Sequence, residues 1–333
     1  MTAMLLSGKG SIAALVSLLS LASPAQTPSP EAPKNLPAPP VRVAFERLVP
    51  DAKLDLGGTR GLAAGDGSIW VSVKETKTLV RIDPKTNAIT KTITLTAPPC
   101  PGMTFAFDAM WVPLCGTAGI ARVDPKTNAV TATISKGLQA VTGPLATSAG
   151  SLWSISDGKG TLARIDPVAG AVVAEVYTGG GSESVAVGQD TLWVGNAATN
   201  MVARISAYTN LLDEWITVGK GPISVASGEG AVWTLNNKDA SVSRVDTKTN
   251  KLAETMKLGA PFMSGQLTVG EGSVWVSAAG LPLARIDPRT NRVAQIFTGV
   301  GGGMVVVAEG AVWIAADVKT LWRVDPKRIE ATR

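Results

Sequence analysis

From about residue 40 onward, apolar and polar residues alternate along this chain in short runs. "SIWVSV" at 68 to 73, "TLVRID" at 78 to 83 and "AITKTITL" at 88 to 95 repeat with a period of two, which is the signature of half-buried strands and not of helices. With "GLAAG" at 61 to 65 they make a group of four short strands. That group returns down the chain. A Trp preceded by a turn recurs at Trp70, Trp111, Trp153, Trp193, Trp233, Trp275 and Trp313. An Arg follows eleven residues after each of the first five (Arg81, Arg122, Arg164, Arg204, Arg244) and ten after the last two (Arg285, Arg323). "RIDPKTN" or a near copy then gives a turn, because Pro presets φ and Asn tolerates the left-handed region.

Four strands in roughly 40 residues is the content of one propeller blade. Seven units in an open row would leave apolar blade faces wet, so the pattern predicts an all-β, seven-bladed β-propeller of four-stranded blades. An open solenoid would use shorter units and capping repeats. After Pro326 only "KRIEATR" remains, a poor strand, whereas "VRVAFERLV" at 41 to 49 precedes the first full copy. The expectation is that residues 41 to 49 complete the last blade by pairing with the strand carrying Arg323, and so lock the ring.

The phrases "GEGSVWV" and "RIDPKTN", repeated across residues 41 to 333, resemble the seven-bladed propellers of the streptogramin lyase (virginiamycin B lyase) group and the related YVTN-repeat proteins of bacterial envelopes. The resemblance implies the propeller fold. It also implies a catalytic His with a nearby acidic residue and a magnesium ion, yet this chain contains no His. Without imidazole the usual acid/base near neutral pH is missing, as is the commonest metal ligand. No metal-ligand cluster stands out, so no metal site is assigned and the cofactor is left unknown, and a Ser-His-Asp or Cys-His arrangement is excluded.

The ends add location. Residues 1 to 25 read as a signal peptide, with Lys9 before the apolar run "IAALVSLLSLA" and small residues before Gln26. Residues 26 to 40 are a Pro-rich linker and 41 to 333 the propeller. A periplasmic or secreted protein is expected, with no membrane insertion and as a monomer. The net charge of +5 is spread through the repeats with no basic run, which argues against nucleic-acid binding. Two cysteines in an exported chain favour a disulfide. With a turn at Phe107 and Asp108, Cys100 and Cys115 lie opposite each other across one hairpin, although Pro101 and Pro113 disturb its ladder.

A residue present in every blade is best explained by packing, so the seven Trp are expected between blades, and the Arg, followed two residues later by Asp in six copies and by Ser206 in the fourth, is expected to make a repeated charge-assisted pairing within or between blades. Function then lies where the repeats differ. The starts of the inner strands and the loops leaving the second strands share one mouth of the channel, opposite the "EG" and "DPKTN" turns. There Arg60, Glu183, Gln266, Ser264 and Thr142 are the candidate ligand-binding residues. The expected role is noncatalytic binding of a small molecule or an envelope protein at this mouth. The alternative is a lyase-like or lactonase-like enzyme with Glu183 as base or metal ligand and Arg60 holding an anionic substrate.

Overall fold

The computed structural model describes residues 39–59, 61–141, 143–259 and 261–333. The expected signal peptide, most of the linker, Arg60 and Thr142 lie outside the described residues. The remainder forms seven antiparallel sheets, each a four-stranded meander, and the sixth carries a fifth strand. The first strand of each blade neighbours the first strands of the blades on either side, which places it innermost, and the ring closes where Val305–Ala308 meets Gly61–Gly65. The fourth strands form the rim.

Two sheets that twist and fan around an axis leave a wedge between them, and a large flat side chain fills it. Each of the seven apolar clusters spans one such wedge and contains one repeat Trp. All seven indoles are 2% exposed or less. In five blades the indole N–H donates to the carbonyl five residues upstream, as Trp70 does to Gly65 at 3.0 Å and Trp153 to Ser148 at 3.2 Å. The turn before the strand is therefore tied to the ring that fills the wedge.

In four blades the repeat Arg lies across this same Trp. Guanidinium-to-ring distances are 5.0 Å for Arg81 on Trp70 and 5.5 Å for Arg164 on Trp153, within cation–π range. Arg81 also reaches the next blade, donating to the Pro125 carbonyl at 2.6 Å and to Asn128 at 3.2 Å. Arg164 likewise donates to Asn210 at 3.1 Å. Within its own blade Arg81 also pairs with Asp66 at 2.7 Å, a charge-assisted contact of the expected kind, but the Asp two residues on is not its partner. Asp83 instead accepts the backbone N–H groups of Lys85 and Thr86, and Asp124, Asp166 and Asp246 repeat the arrangement. Those backbone hydrogen bonds hold the four carboxyl groups below the usual aspartate pKa. Neighbours two residues apart on a strand share a face but not a position along it, and the turn amides lie nearer.

Ring closure differs from expectation. The strand that pairs with Thr320–Val324 is Ala52–Asp55, in the register Ala52↔Arg323. Val41–Ala44 lies parallel to Arg292–Thr298, as the fifth strand of the sixth blade. The reason is continuity: in every other blade the rim strand leads directly into the next inner strand, and 52–55 is the segment that leads into Gly61. Between the two strands, Phe45 and Leu48 are buried in the wedge of blades six and seven, and Phe45 stacks on Trp322 at 4.6 Å. Residues Pro326–Ala331 form a short helix, capped by Asp325 accepting from Lys327. The buried Gln295 amide donates to the helix carbonyl of Ile329 at 2.8 Å.

Cys100 and Cys115 form a disulfide with Cα atoms 5.1 Å apart. The hairpin turn falls at Phe107 and Asp108, both at positive φ, as expected. The ladder does not run straight through to the cysteines. It lapses near Pro101 and resumes as Pro99↔Leu114, with Cys100 N–H donating to Pro113 and Cys115 N–H to Pro98, so the two cysteines sit diagonally and not opposite.

Truncation separates the two N-terminal strands. Removing residues through 50 takes away only the fifth strand and its apolar plug, and a cooperative, lowered melting transition is expected. Removing residues through 56 opens the ring, and loss of cooperative melting by circular dichroism is expected. Equal melting temperatures for the two truncations would contradict this closure.

Candidate functional site

The start of each inner strand pairs with the end of the second strand of its blade, as in Gly61↔Ser72, Ser182↔Asn196, Pro222↔Asn236 and Gly265↔Ala278. Inner-strand starts and second-strand exit loops therefore share one mouth, and the sequence-predicted candidates that the structure describes lie there.

Glu183 is the most distinctive of them. In blade four the register shifts between Ser182 and Ser184, which leaves Glu183 in a bulge, without a cross-strand partner. A bulge of this kind re-aims a side chain away from the regular pleat. Its flanks are fixed. Ser182 is buried and donates to the carbonyls of Thr178 and Gly179, both at 2.9 Å. The buried Asn196 donates to Thr178 at 3.0 Å and accepts from the N–H groups of Ala198 and Thr199. Blade five carries the same irregularity between Pro222 and Ser224, at Ile223.

The exit loop of blade five leans onto this bulge. Lys238 Nζ donates to the Ala197 carbonyl of blade four at 3.0 Å. Its loop is held by the N–H groups of Asn237 and Lys238, which donate to the carbonyls of Gly221 and Lys220. Surrounding protein removes part of the water from the Glu183 carboxyl group and holds its pKa above the usual glutamate value, while the charge of Lys238 acts in the opposite direction. A carboxyl and an ammonium group from adjacent blades thus face the same opening.

Gln266 and Ser264 stand two blades along from Glu183, at the start of the inner strand Gly265–Gly270. Gln266 pairs with Ser277 in an unbroken ladder and is half-buried, while Ser264 is exposed and accepts from the Ala279 N–H at 3.0 Å. The inner strand of blade five separates them from Glu183, and among the described residues no hydrogen bond joins them to it. What the structure does bring together is Glu183 with Lys238. Lys238 belongs to the loop "NNKD" at 236 to 239, whose charge was visible in the sequence. Its reach into the neighbouring blade was not, since nothing local encodes a contact 41 residues away.

The chemistry open to this pair is polar recognition. The carboxyl group accepts from donors and takes up a proton more readily than a solvated glutamate, and the ammonium group attracts an anionic end. Among the described residues no group of three His, Cys, Asp or Glu side chains is placed to hold a metal ion.

A family profile described as a repeat of unknown function (DUF6923) matches residues 52–159. No protein with a curated description matches the sequence significantly. Among solved structures, virginiamycin B lyase from Staphylococcus aureus superposes with a TM-score of 0.70 at 18% identity, over 82% of this chain and 97% of that one. A catalytically inactive His-to-Ala variant of that lyase, with quinupristin, superposes at 0.69 and 17% identity, over 82% and 97%. BamB from Moraxella catarrhalis superposes at 0.58 and 13% identity, over 80% and 85%. The chain has the seven-bladed β-propeller fold of the virginiamycin B lyases.

Proposed function

We propose that this protein is an exported β-propeller that binds a small polar molecule at the mouth of blades four to six, without catalysing its conversion. The observation that carries this reading is the Glu183 bulge with Lys238 bridging to blade four, a two-charge site built where the repeats diverge. Loops at the mouth of a rigid ring carry recognition. Export to the periplasm or the medium is supported by the pattern of residues 1 to 25. The absence of His supports a noncatalytic role, because the lyase of the same fold is described as inactive when a His is replaced by Ala.

A second reading is favoured by one observation, the raised pKa of Glu183. A carboxyl group poised nearer neutrality is a better general base, and an elimination that opens a cyclic ester would use Glu183 in that role, with Arg60 holding an anionic substrate.

Quinupristin separates the two. Under the binding reading, prolonged incubation leaves it intact by mass spectrometry, and appearance of the opened, linear product would replace that reading with the second. In a thermal-shift screen of zwitterionic amino acids and short peptides, any hit is expected to weaken about tenfold or more with Glu183→Ala or Lys238→Ala, as for loss of a hydrogen bond to a charged group. Lys85→Ala, in a turn on the opposite face, is expected to change nothing.

The titration of Glu183 has a definite sign. Its folded-state pKa lies above the unfolded value, so folding favours the protonated form, and that contribution is lost as pH rises through the raised value. As pH rises above the ordinary glutamate value of about 4.3 and through the raised folded-state one, the wild type should lose melting temperature relative to Glu183→Gln. A difference between the two that stays constant across this range would contradict the site's electrostatics.

A further inference from the structure

Blade six is one strand deeper than its neighbours, because Val41–Ala44 is added outside its rim strand. Paired residues of adjacent strands point to the same face of a sheet, so the alternation of this added strand is set by Arg292–Thr298. Val43, opposite Phe297, joins it in the apolar cluster between blades six and seven. Arg42 is opposite Ile296, and Ile296 belongs to the cluster between blades five and six. The guanidinium is therefore carried over the outer end of that second interval, where blade five has no fifth strand to meet it.

A groove of about 330 Å³ lies at this end of the interval, beside the exit loop of blade six at Ala279 and Gly280. Leu258, Phe262, Leu281 and Ile296 give it apolar walls, and all but Leu281 are buried. Backbone hydrogen bonds fix those walls. The Leu258 N–H donates to the Ala240 carbonyl at 2.7 Å, and the Phe262 N–H to the Asn237 carbonyl at 3.4 Å. Arg42 closes the outer edge, its Nη2 lying 3.6 Å from the point where a Cβ on Gly259 would stand, so the guanidinium reaches from blade six across to the chain of blade five. Among the described residues it has no hydrogen-bond or ion-pair partner. Lys257, at the end of the blade-five rim strand, is held by Asp239 at 2.9 Å, and Glu46 lies against Gly299.

We propose that this groove binds a small apolar monocarboxylate, with the hydrocarbon body between blades five and six and the carboxylate on Arg42. The chemistry of the walls selects that class. A guanidinium presents parallel N–H donors that match the two oxygens of a carboxylate, and this one is free to use them. The apolar walls favour burial of the tail and offer no charge to a second polar group. Small-molecule pockets are of this kind, mostly apolar with a few polar groups that fix orientation, and span about 300–1,000 Å³. At the lower end of that range, the groove suits one short chain or ring. Neither Glu183 nor Lys238 lines it, so the site stands or falls independently of the reading of the mouth.

The test titrates octanoate into the full chain by isothermal calorimetry. Saturable binding with a dissociation constant below about 1 mM is expected. Hexanoate should bind about fifteenfold more weakly, at about fourfold for each methylene no longer buried. Octanol, which keeps the chain and lacks the carboxylate, should bind about tenfold or more weaker than octanoate, and octanoate should lose as much on Arg42→Ala. Ala279→Phe, which sets a ring on the exposed wall of the groove, should abolish binding. Both positions are exposed, so the melting temperature of each variant should stay near that of wild type. Arg47→Ala, a cation of the same N-terminal segment that does not line the groove, is expected to leave octanoate binding unchanged. A wild type that shows no saturable octanoate binding, or binding that survives Arg42→Ala undiminished, overturns the proposal.

Discussion

The constraint on which the rest of this structure depends is the wedge between blades. Sheets arranged radially diverge toward the rim, and that space must be filled by one large side chain in each interval or the ring loses contact between its parts. The repeat Trp is that side chain, buried in each of the seven apolar clusters. Burying such a ring removes roughly 150–250 Å² from water, worth about 4–6 kcal/mol at 25 cal/mol per Å² before entropic losses. Its indole N–H fixes the turn before it, and the Arg stacked on it holds the following turn in two of the intervals. The wedge at the closure, between blades seven and one, is filled in the same way by Trp313.

Because packing of this kind consumes the repeated residues, recognition is left to the residues that vary. At the mouth, buried serines and asparagines such as Ser182 and Asn196 satisfy the backbone around a bulge and leave Glu183 free to project. A rigid surround holds this exposed carboxyl group within the field of the Lys238 charge. On the far face the apolar departures are Phe107 of blade two, Val168 of blade three and Tyr208 of blade four.

Much of the fold was legible because its determinants are local and repeated. The Trp-to-Arg spacing, the alternation and the Asn turns each report a strand or a turn, and seven copies reinforce one another. What was not legible depends on the third dimension. The alternating run "VRVAFERLV" is a strand in part, but which blade it joins is decided by which segment leads into Gly61. The cysteines were paired correctly and their register was not, since Pro101 interrupts the ladder between turn and bridge. The charge-assisted pairing expected of the repeat Arg forms for Arg81 with Asp66, whereas the Asp that follows it is held by backbone amides of the next turn, a competition that the sequence pattern does not display. Glu183 was singled out by its departure from the repeat, whereas Lys238 was seen only as a charged loop. Arg60 and Thr142 lie outside the described residues, so the mouth as described rests on Glu183, Lys238, Ser264 and Gln266.

The division between repeated residues that build and unrepeated residues that recognise can be measured with two tryptophans. Trp153 is fully buried in the wedge between blades three and four, and Trp215 lies on the rim of the same pair, 36% exposed. The measurement is the loss of unfolding free energy in urea, at low protein concentration, for Trp153→Ala and for Trp215→Ala. The wedge role predicts a loss of about 3–5 kcal/mol for the first, as for a large ring removed from a packed core, and about 1 kcal/mol or less for the second. Equal losses at the two positions would contradict it.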